Sequence, residues 1–146
     1  MVPLKHPTVV VPVDFSEDSE RAIRAGLERA EDPSGLHVVH VLVPLDYVSP
    51  GVMWGTVSDE TRKQAVEANL EALLKSSGAT GARFEVLIGD AGLQVADYAK
   101  RVDADLILVP SHGYHGVKRF MLGSTTERII RHAHCSVLVL RRQDAD

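Results

Sequence analysis

The segment LILVPSHGYHGVKRFMLGSTTERIIRHAHCSVLVL, residues 106–140, contains the clearest indication of the fold. It begins with an apolar run at 106–109 and passes through a glycine-containing loop at 110–123. A helical stretch then extends over about 124–134, and a second apolar run follows at 136–140. Two apolar runs of strand length that flank a helix are typical of parallel strands joined by a crossover. The segment therefore predicts a strand–helix–strand unit.

The same alternation extends back to the N-terminus. Strand-like runs lie at residues 8–13, 36–43 and 83–88, and helical stretches lie at 17–30, 59–76 and 93–102. Ser16 is predicted to cap the first helix. Residues 44–58 have no helical period and are expected to form a loop or lid. Strands that alternate with helices pair in parallel through right-handed crossovers. We therefore predict one α/β domain over residues 1–146, a doubly wound parallel sheet of five strands with helices on both faces.

The composition excludes several classes of protein. Hydrophobic residues make up 45% of the chain and charged residues 25%, which is average for a globular protein. No apolar stretch approaches the ~18 residues of a membrane span, and the N-terminus lacks the apolar core of a signal peptide. The one cysteine, Cys135, cannot form an internal disulfide and is expected to be a small buried residue. These features favour a cytoplasmic protein, and the net charge of −4 argues against a general nucleic-acid binder.

The charge is unevenly distributed along the chain. Residues 112–142 contain six Lys and Arg residues and a single anion, Glu127, whereas the whole chain has a net charge of −4. A basic region on an acidic body suggests a local anion site. The alternative is an ordinary solvated helix face with scattered arginines.

The expected binding site lies where strands 1, 2 and 4 end. In doubly wound sheets, ligands bind beyond the carboxyl ends of the strands, where the strand order reverses. The loop after Val109 leads to Ser124–Thr125–Thr126–Glu127, which has the pattern of a capping box. The free amides of the new helix, together with the hydroxyls of its first turn, would form an anion site suited to phosphate. The alternative is a plain connection with a good cap.

Two standard phosphate motifs are absent from the sequence. There is no G-x-x-x-x-G-K-[ST], and the residues after strand 1, VDFSED, contain no G-x-G-x-x-G. The site is therefore neither that of a Walker nucleotide triphosphatase nor that of a dinucleotide-binding Rossmann domain. Hydrolysis would also require a base and usually a metal, and Asp14 is the one evident carboxylate, so a proficient ATPase is not expected.

Several blocks resemble the universal stress protein family over nearly the whole chain: VPVDFSEDSERA, the HV that ends strand 2, and SHGYHGVKRFMLGSTTERIIRHAHCSVLVL. The ATP-binding branch of that family has G-x2-G-x9-G-[ST] after strand 4. Here the pattern falls on Pro110, Gly113, Gly123 and Ser124. Pro110 replaces the first glycine and has no amide hydrogen to offer a phosphate.

The resemblance implies a Rossmann-like sheet of order 3-2-1-4-5, as in adenine nucleotide alpha-hydrolase-like folds, that binds ATP, with Mg²⁺ accompanying the nucleotide. Asp14 would contact the ribose or base, Val41 would meet adenine through its backbone, and the glycines and hydroxyls would hold the phosphates. The residues implied in nucleotide binding are Pro12, Val13, Asp14, Val41, Val109, Pro110, His112, Gly113, Gly123, Ser124, Thr125 and Thr126.

Three functional hypotheses follow. The first is a nucleotide-dependent regulatory switch of the stress response, in which ATP orders residues 44–58 and 110–123. The second is a nucleotide-free adaptor in which Pro110 marks the loss of the site and Asp14 merely caps the first helix. The third is a metal-dependent hydrolase that uses His112, His115, His132 and His134, but no Cys or carboxylate cluster joins these residues, so no protein metal site is expected.

The last strand bears on assembly. SVLVL is short and apolar on both faces, and its place at the end of the chain favours a sheet edge, which is a pairing hazard unless it is covered. Family dimers use this strand. We therefore expect a homodimer through Val137, Leu138, Val139 and Leu140.

Overall fold

A computed structural model of the chain describes residues 5–44, 58–111 and 122–141. The strands are β1 (Val9–Pro12), β2 (Leu36–Leu42), β3 (Arg83–Ile88), β4 (Leu106–Pro110) and β5 (Ser136–Leu140). The α-helices are α1 (Asp18–Arg29), α2 (Asp59–Ser76), α3 (Ala91–Arg101) and α4 (Ser124–His132), and a short 3₁₀ turn, Pro33–Gly35, precedes β2. Each strand lies within two residues of its predicted position.

The five strands form one parallel sheet of order β3-β2-β1-β4-β5, so the predicted order is confirmed. The order reverses at β1, which has β2 on one side and β4 on the other. Four residue pairs join β1 to β2, but only Val9↔Leu106 and Val10↔Ile107 join β1 to β4. The two strands therefore lose their pairing toward their carboxyl ends, which opens a crevice at the reversal point.

Helices cover both faces of the sheet, as predicted. Val9 and Val11 of β1 pack toward α1 and α2, in a cluster with Ile23 and Leu70. Val10, which points to the opposite face, packs with residues of α3 and α4. All three valines are fully buried, as expected for a central parallel strand. Burial of each such side chain stabilises the fold by roughly 1.5–3 kcal/mol.

Helix α1 packs closely against the sheet at Gly26, which has no side chain. A Cβ atom at this position would lie 2.6 Å from Cγ2 of Val11 and 3.0 Å from Cδ1 of Leu36. These are branched core atoms with little freedom to move, so a larger residue would push the helix outward. The close contact fixes α1, and with it the turn that connects β1 to α1.

The predicted cap of α1 is wrong. The residue that precedes the helix is Glu17, and its side chain makes no capping hydrogen bond. Ser16 lies one residue earlier, and its buried hydroxyl has no hydrogen-bond partner among the described residues. The reason is that the backbone amide of Ser16 donates to Asp14, which draws Ser16 into the preceding turn.

Most of the predicted loop or lid, residues 45–57, lies outside the described residues. Among the helices of the described part, none combines the length and apolar content that crossing a bilayer requires.

Candidate functional site

A cavity of about 480 Å³ opens at the carboxyl ends of β1 and β4, where the two strands separate. Its wall comes from the ends of three strands and from the first turns of α3 and α4. The lining residues are Pro12, Val13, Asp14, His40, Val41, Ala91, Val95, Val109, Pro110, Gly123, Ser124, Thr125, Thr126 and Ile129. The cavity therefore lies at the reversal point, where the fold class predicts a ligand site.

The structure brings ten of the twelve predicted site residues together around this cavity: Pro12, Val13, Asp14, Val41, Val109, Pro110, Gly123, Ser124, Thr125 and Thr126. His112 and Gly113 lie outside the described residues. Four lining residues were not predicted as site residues: His40, Ala91, Val95 and Ile129. Three of these are apolar helix residues whose sequence pattern indicates only core packing. His40 could have been found from its place beside Val41 at the end of a strand.

Helix α4 begins at the cavity without a side-chain cap. Gly123 precedes the helix in an extended conformation, with φ −66° and ψ 153°, and no side chain of the described residues caps the amides of the first turn. The first amides of a helix have no acceptor within the helix itself. The amides of Ser124, Thr125 and Thr126 are therefore available to an anion in the cavity, where the helix dipole also favours negative charge.

The predicted capping box at the start of α4 is wrong. Ser124 is the first helical residue rather than the residue before the helix, and the amide of Glu127 donates to the carbonyl of Gly123 over 3.0 Å. The Glu127 carboxylate instead accepts from Arg131 over 2.9 Å, one turn further along. Gly123 is also fixed by tertiary structure, since its own amide donates to the carbonyl of Ser111.

Thr126 connects α4 to the end of β4. Its hydroxyl donates to the carbonyl oxygen of Pro110 over 2.9 Å, and the residue is only 5% exposed. The hydroxyl is therefore used within the protein, and the backbone amide of Thr126 is the group left for a ligand.

Pro110 is the last residue of β4 and pairs in register with Leu140. A strand end suits proline because the φ that its ring imposes, about −65°, lies within the extended region. The next amide, that of Ser111, donates to the carbonyl of Leu140 over 2.8 Å, so the strand pairing continues past the proline. Pro110 lines the cavity and leaves it open, but it contributes no amide donor to it.

Asp14 orders the turn between β1 and α1. Its Oδ1 atom accepts from the amide of Ser16 over 3.0 Å and from the hydroxyl of Ser19 over 3.3 Å. The other carboxylate oxygen has no hydrogen-bond partner among the described residues. Asp14 thus holds the approach to α1 rather than capping the helix itself, and one of its oxygens remains for a ligand.

His40 lines the cavity beside Asp14 and packs against Phe15. Nδ1 of His40 lies 2.7 Å from the carbonyl oxygen of Val13, and the ring of His40 packs against Phe15 with a centroid distance of 4.8 Å. Phe15 has a φ of 62°, a left-handed conformation that is costly for a residue with a side chain.

The start of α3 lies beside that of α4 but is capped. Asp90 accepts from the amide of Leu93 over 3.0 Å and also contacts the guanidinium of Arg128 on α4. The hydrogen bond from Leu93 is the main reason that the pKa of Asp90 is lowered. Desolvation opposes this effect, and the charge and hydrogen bond of Arg128 lower the pKa further. The helices approach closely at Gly92, where a Cβ atom would lie 2.6 Å from Cβ of Arg128.

Three titratable side chains on the face of the sheet that α3 and α4 cover are not among the residues that line the cavity. His37 is buried on β2, and its Nδ1 lies 2.8 Å from the hydroxyl of Tyr98. Desolvation lowers the pKa of His37 and raises that of Tyr98. Burial also raises the pKa of the Cys135 thiol, which makes it a poor nucleophile. Cys135 is half-buried against this cluster, and no group of metal-ligating side chains occurs in ranges 5–44, 58–111 and 122–141.

β5 lies at the edge of the sheet and pairs only with β4 within the described part of the chain. Its residues Val137, Leu138, Val139 and Leu140 are half-buried, because the helices cover their side chains on both faces while no described strand pairs with the outer edge. The predicted dimer through this strand stays a prediction.

Comparison with known proteins gives a consistent result. The profile described as "Universal stress protein family" matches residues 6–141. Universal stress protein MJ0531 of Methanocaldococcus jannaschii is 30% identical over 140 residues, which cover 92% of this chain and 81% of the relative.

Solved structures share the fold. A universal stress protein in complex with cAMP superposes with a TM-score of 0.64 at 24% identity and covers 94% of this chain and 98% of its own. The universal stress protein of Archaeoglobus fulgidus in complex with dAMP has a TM-score of 0.58 at 25% identity and covers 92% of this chain and 97% of its own.

Proposed function

The chain belongs to the universal stress protein family, and on that basis we propose that it binds an adenine nucleotide, ATP in the first instance, in the cavity between β1 and β4. The observation that carries the proposal is the uncapped start of α4, whose first amides border an open cavity of about 480 Å³. The structures of two related proteins with cAMP and dAMP support the adenine nucleotide class.

The cavity offers a different partner to each part of the nucleotide. The amides of Ser124, Thr125 and Thr126 would bind phosphate oxygens, and Gly123 would let the phosphate approach the backbone. The apolar wall at Val41 and Val109 would pack against the base. The free oxygen of Asp14 would accept from a ribose hydroxyl.

Mg²⁺ would enter with the triphosphate. Asp14 supplies the one carboxylate among the described lining residues. One carboxylate together with phosphate oxygens and water is a donor set that Mg²⁺ accepts. The ion would offset phosphate charge in the bound state.

We propose a regulatory role rather than an enzymatic one. The described lining residues include one carboxylate and no lysine or arginine, which is a poor set for phosphoryl transfer. A nucleotide in contact with both α4 and the end of β1 would stabilise the conformation in which both elements can bind it. The resulting change at the protein surface would be recognised by a partner protein.

We also propose that the protein is cytoplasmic and forms a homodimer through β5. A monomer mass by light scattering at micromolar concentration would contradict the dimer.

One observation favours the alternative of a nucleotide-free adaptor. Pro110 gives the cavity no amide donor, and the Thr126 hydroxyl is already bound to the Pro110 carbonyl. The adaptor hypothesis predicts no saturable binding of any adenine nucleotide by the wild-type protein.

Calorimetric titration of MgATP, AMP and cAMP tests the proposal. We expect the wild type to bind at one site per chain. Gly123→Val, which places a branched side chain where the phosphate would meet the backbone, should weaken binding on the order of 100-fold. Ala72→Val adds the same side chain to the exposed face of α2, away from the cavity, and should bind like wild type. Absence of binding by the folded wild type, or equal binding by Gly123→Val, would contradict the proposal.

A further inference from the structure

Val13 is held by β2 through both of its backbone polar groups. Its amide donates to the carbonyl of Val39 over 2.8 Å, and its carbonyl oxygen lies 2.7 Å from Nδ1 of His40. A carbonyl can only accept, so Nδ1 of His40 must carry the hydrogen and donate it. The two consecutive peptide units that follow Pro12, the last residue of β1, are thereby fixed to the neighbouring strand.

Phe15 is fixed from the same side. Its backbone has a φ of 62°, and its ring packs on the ring of His40 at 4.8 Å with an angle of 56° between the planes. A left-handed conformation in a residue with a side chain persists only where the surroundings hold it. The contact with His40 is one such constraint on Phe15, which is 37% exposed.

Asp14 lies between these two fixed residues. Its backbone position is set by Val13 on one side and Phe15 on the other, and its Oδ1 atom is oriented by Ser16 and Ser19. A carboxylate held at three points presents its remaining oxygen in one direction, and Asp14 lines the cavity. One imidazole, that of His40, thus contacts both neighbours of the carboxylate.

We propose that His40 is a positioning residue for the nucleotide site: it holds the turn at 13–15 so that Asp14 meets the ribose hydroxyls. This inference rests on the proposed function. The working group is the Nδ1–H donor, which is present in both the neutral tautomer assigned here and the imidazolium ion. Removal of the donor should loosen the turn and spread the orientations of Asp14, which weakens a ligand that depends on it.

Two variants separate the donor from the ring. His40→Asn keeps a short amide N–H donor that can reach the Val13 carbonyl but loses the aromatic ring. His40→Phe keeps an aromatic ring against Phe15 but has no donor. We expect His40→Phe to bind AMP about tenfold more weakly than wild type, and His40→Asn to recover most of that loss.

A second ligand tests whether His40 affects binding through Asp14 and the ribose hydroxyls. AMP and 2′,3′-dideoxy-AMP differ only in the ribose hydroxyls that Asp14 would receive. The dideoxy nucleotide should bind wild type more weakly than AMP does, and His40→Phe should change its affinity by less than about threefold. Thermal unfolding of each variant shows that the titrated protein is folded.

The outcomes are distinct. Equal AMP affinity in wild type and His40→Phe would overturn the inference and leave the proposed function standing. A loss in His40→Asn that equals or exceeds the loss in His40→Phe would show that the Nδ1–H donor does not carry the effect. An equal loss of affinity for AMP and for the dideoxy nucleotide would show that His40 does not act through Asp14. Either result overturns the inference.

Failure of wild type to bind either ligand would defeat the proposed function, and the ligand role of His40 with it. Hydrogen exchange of the Ser16 amide, measured without nucleotide, then reports on the turn alone. We expect the Ser16 amide to exchange faster in His40→Phe than in His40→Asn or the wild type. Equal exchange rates in the wild type and both variants would show that His40 does not hold the turn.

Discussion

Helices α3 and α4 begin side by side at the same edge of the sheet, yet their first turns differ. At α3 the Asp90 side chain accepts from the amide of Leu93 over 3.0 Å. At α4 the preceding residue is Gly123, and no side chain of the described residues caps the turn. The helices touch where Gly92 meets Arg128, and both contribute residues to the cavity. Two neighbouring helices therefore differ at their N-termini: a side chain caps the first amides of α3, whereas no described side chain caps those of α4.

Helix α2 supports the same distinction. Ser58 and Thr61 form a complete capping box there, with reciprocal hydrogen bonds of 3.2 Å and 3.0 Å. Caps of this kind satisfy amides that would otherwise lack a partner, and each contributes about 1 kcal/mol. A helix end without such a cap, at a cavity, leaves its amides for a ligand. The missing cap at α4 is therefore the feature on which the proposed nucleotide site depends.

The largest effect should come from making α4 resemble α3. In Gly123→Asp the extended backbone, φ −66° and ψ 153°, suits a capping aspartate, whose carboxylate would occupy the amides and repel phosphate. We expect binding to weaken on the order of 100-fold, while the free energy of unfolding rises by roughly a few tenths of a kcal/mol.

Two control variants separate occupation of the amides from charge. Gly123→Asn occupies the amides without a charge and should lie between wild type and Gly123→Asp, and Gly123→Ala should be nearest to wild type. Titration calorimetry and urea denaturation measure the two quantities. A wild-type affinity for nucleotide in Gly123→Asp would contradict the interpretation that the uncapped amides of α4 bind the phosphate.

A smaller effect should come from the contact that holds α4 to β4. Thr126→Val removes the donor to the Pro110 carbonyl at nearly constant shape, which should lower the free energy of unfolding by about 1–3 kcal/mol. Thr126→Ser keeps the hydroxyl and should recover part of this loss. Because the backbone amide remains, the affinity for nucleotide should change by less than about tenfold.

A different result for Thr126→Val would contradict the structural role assigned to the Thr126 hydroxyl. A large loss of affinity in Thr126→Val without a loss of stability in urea would show that the hydroxyl itself binds the ligand.

The smallest effect concerns acid titration of the closed helix end. The hydrogen bond from Leu93 is the largest cause that holds the pKa of Asp90 below its ordinary 3.8, so Asp90 stabilises the fold above that value and loses this contribution as the pH falls through its lower folded pKa. The amide proton shift of Leu93, followed by NMR, should titrate with a midpoint below 3.8. The inflection should vanish in Asp90→Asn, and its persistence there would contradict the assignment.

Much of the fold was predictable because its signals are local. The alternation of apolar runs and helical stretches predicted the parallel sheet, and the order 3-2-1-4-5 expected from the family resemblance is confirmed. The position of the cavity was predictable for the same reason, because the carboxyl ends of β1 and β4 lie side by side wherever this topology occurs.

The details that failed depend on contacts between distant residues. The S-x-x-E pattern at 124–127 predicted a capping box. In the structure, the Gly123 amide donates to the Ser111 carbonyl, and this glycine is the residue that precedes the helix. The Glu127 carboxylate accepts a hydrogen bond from Arg131 instead of from the start of the helix. Likewise, only the folded chain shows that the Thr126 hydroxyl reaches Pro110, or that His40 reaches Val13.

Amide chemical shifts of the two helix ends give the most direct test. AMP titrated into ¹⁵N-labelled protein should shift the amides of Ser124, Thr125 and Thr126 strongly and saturably, and leave Leu93 at the capped start of α3 with a much smaller change. Saturation without a shift at 124–126, or a shift at Leu93 as large as theirs, would contradict the claim that the uncapped end of α4 receives the phosphate.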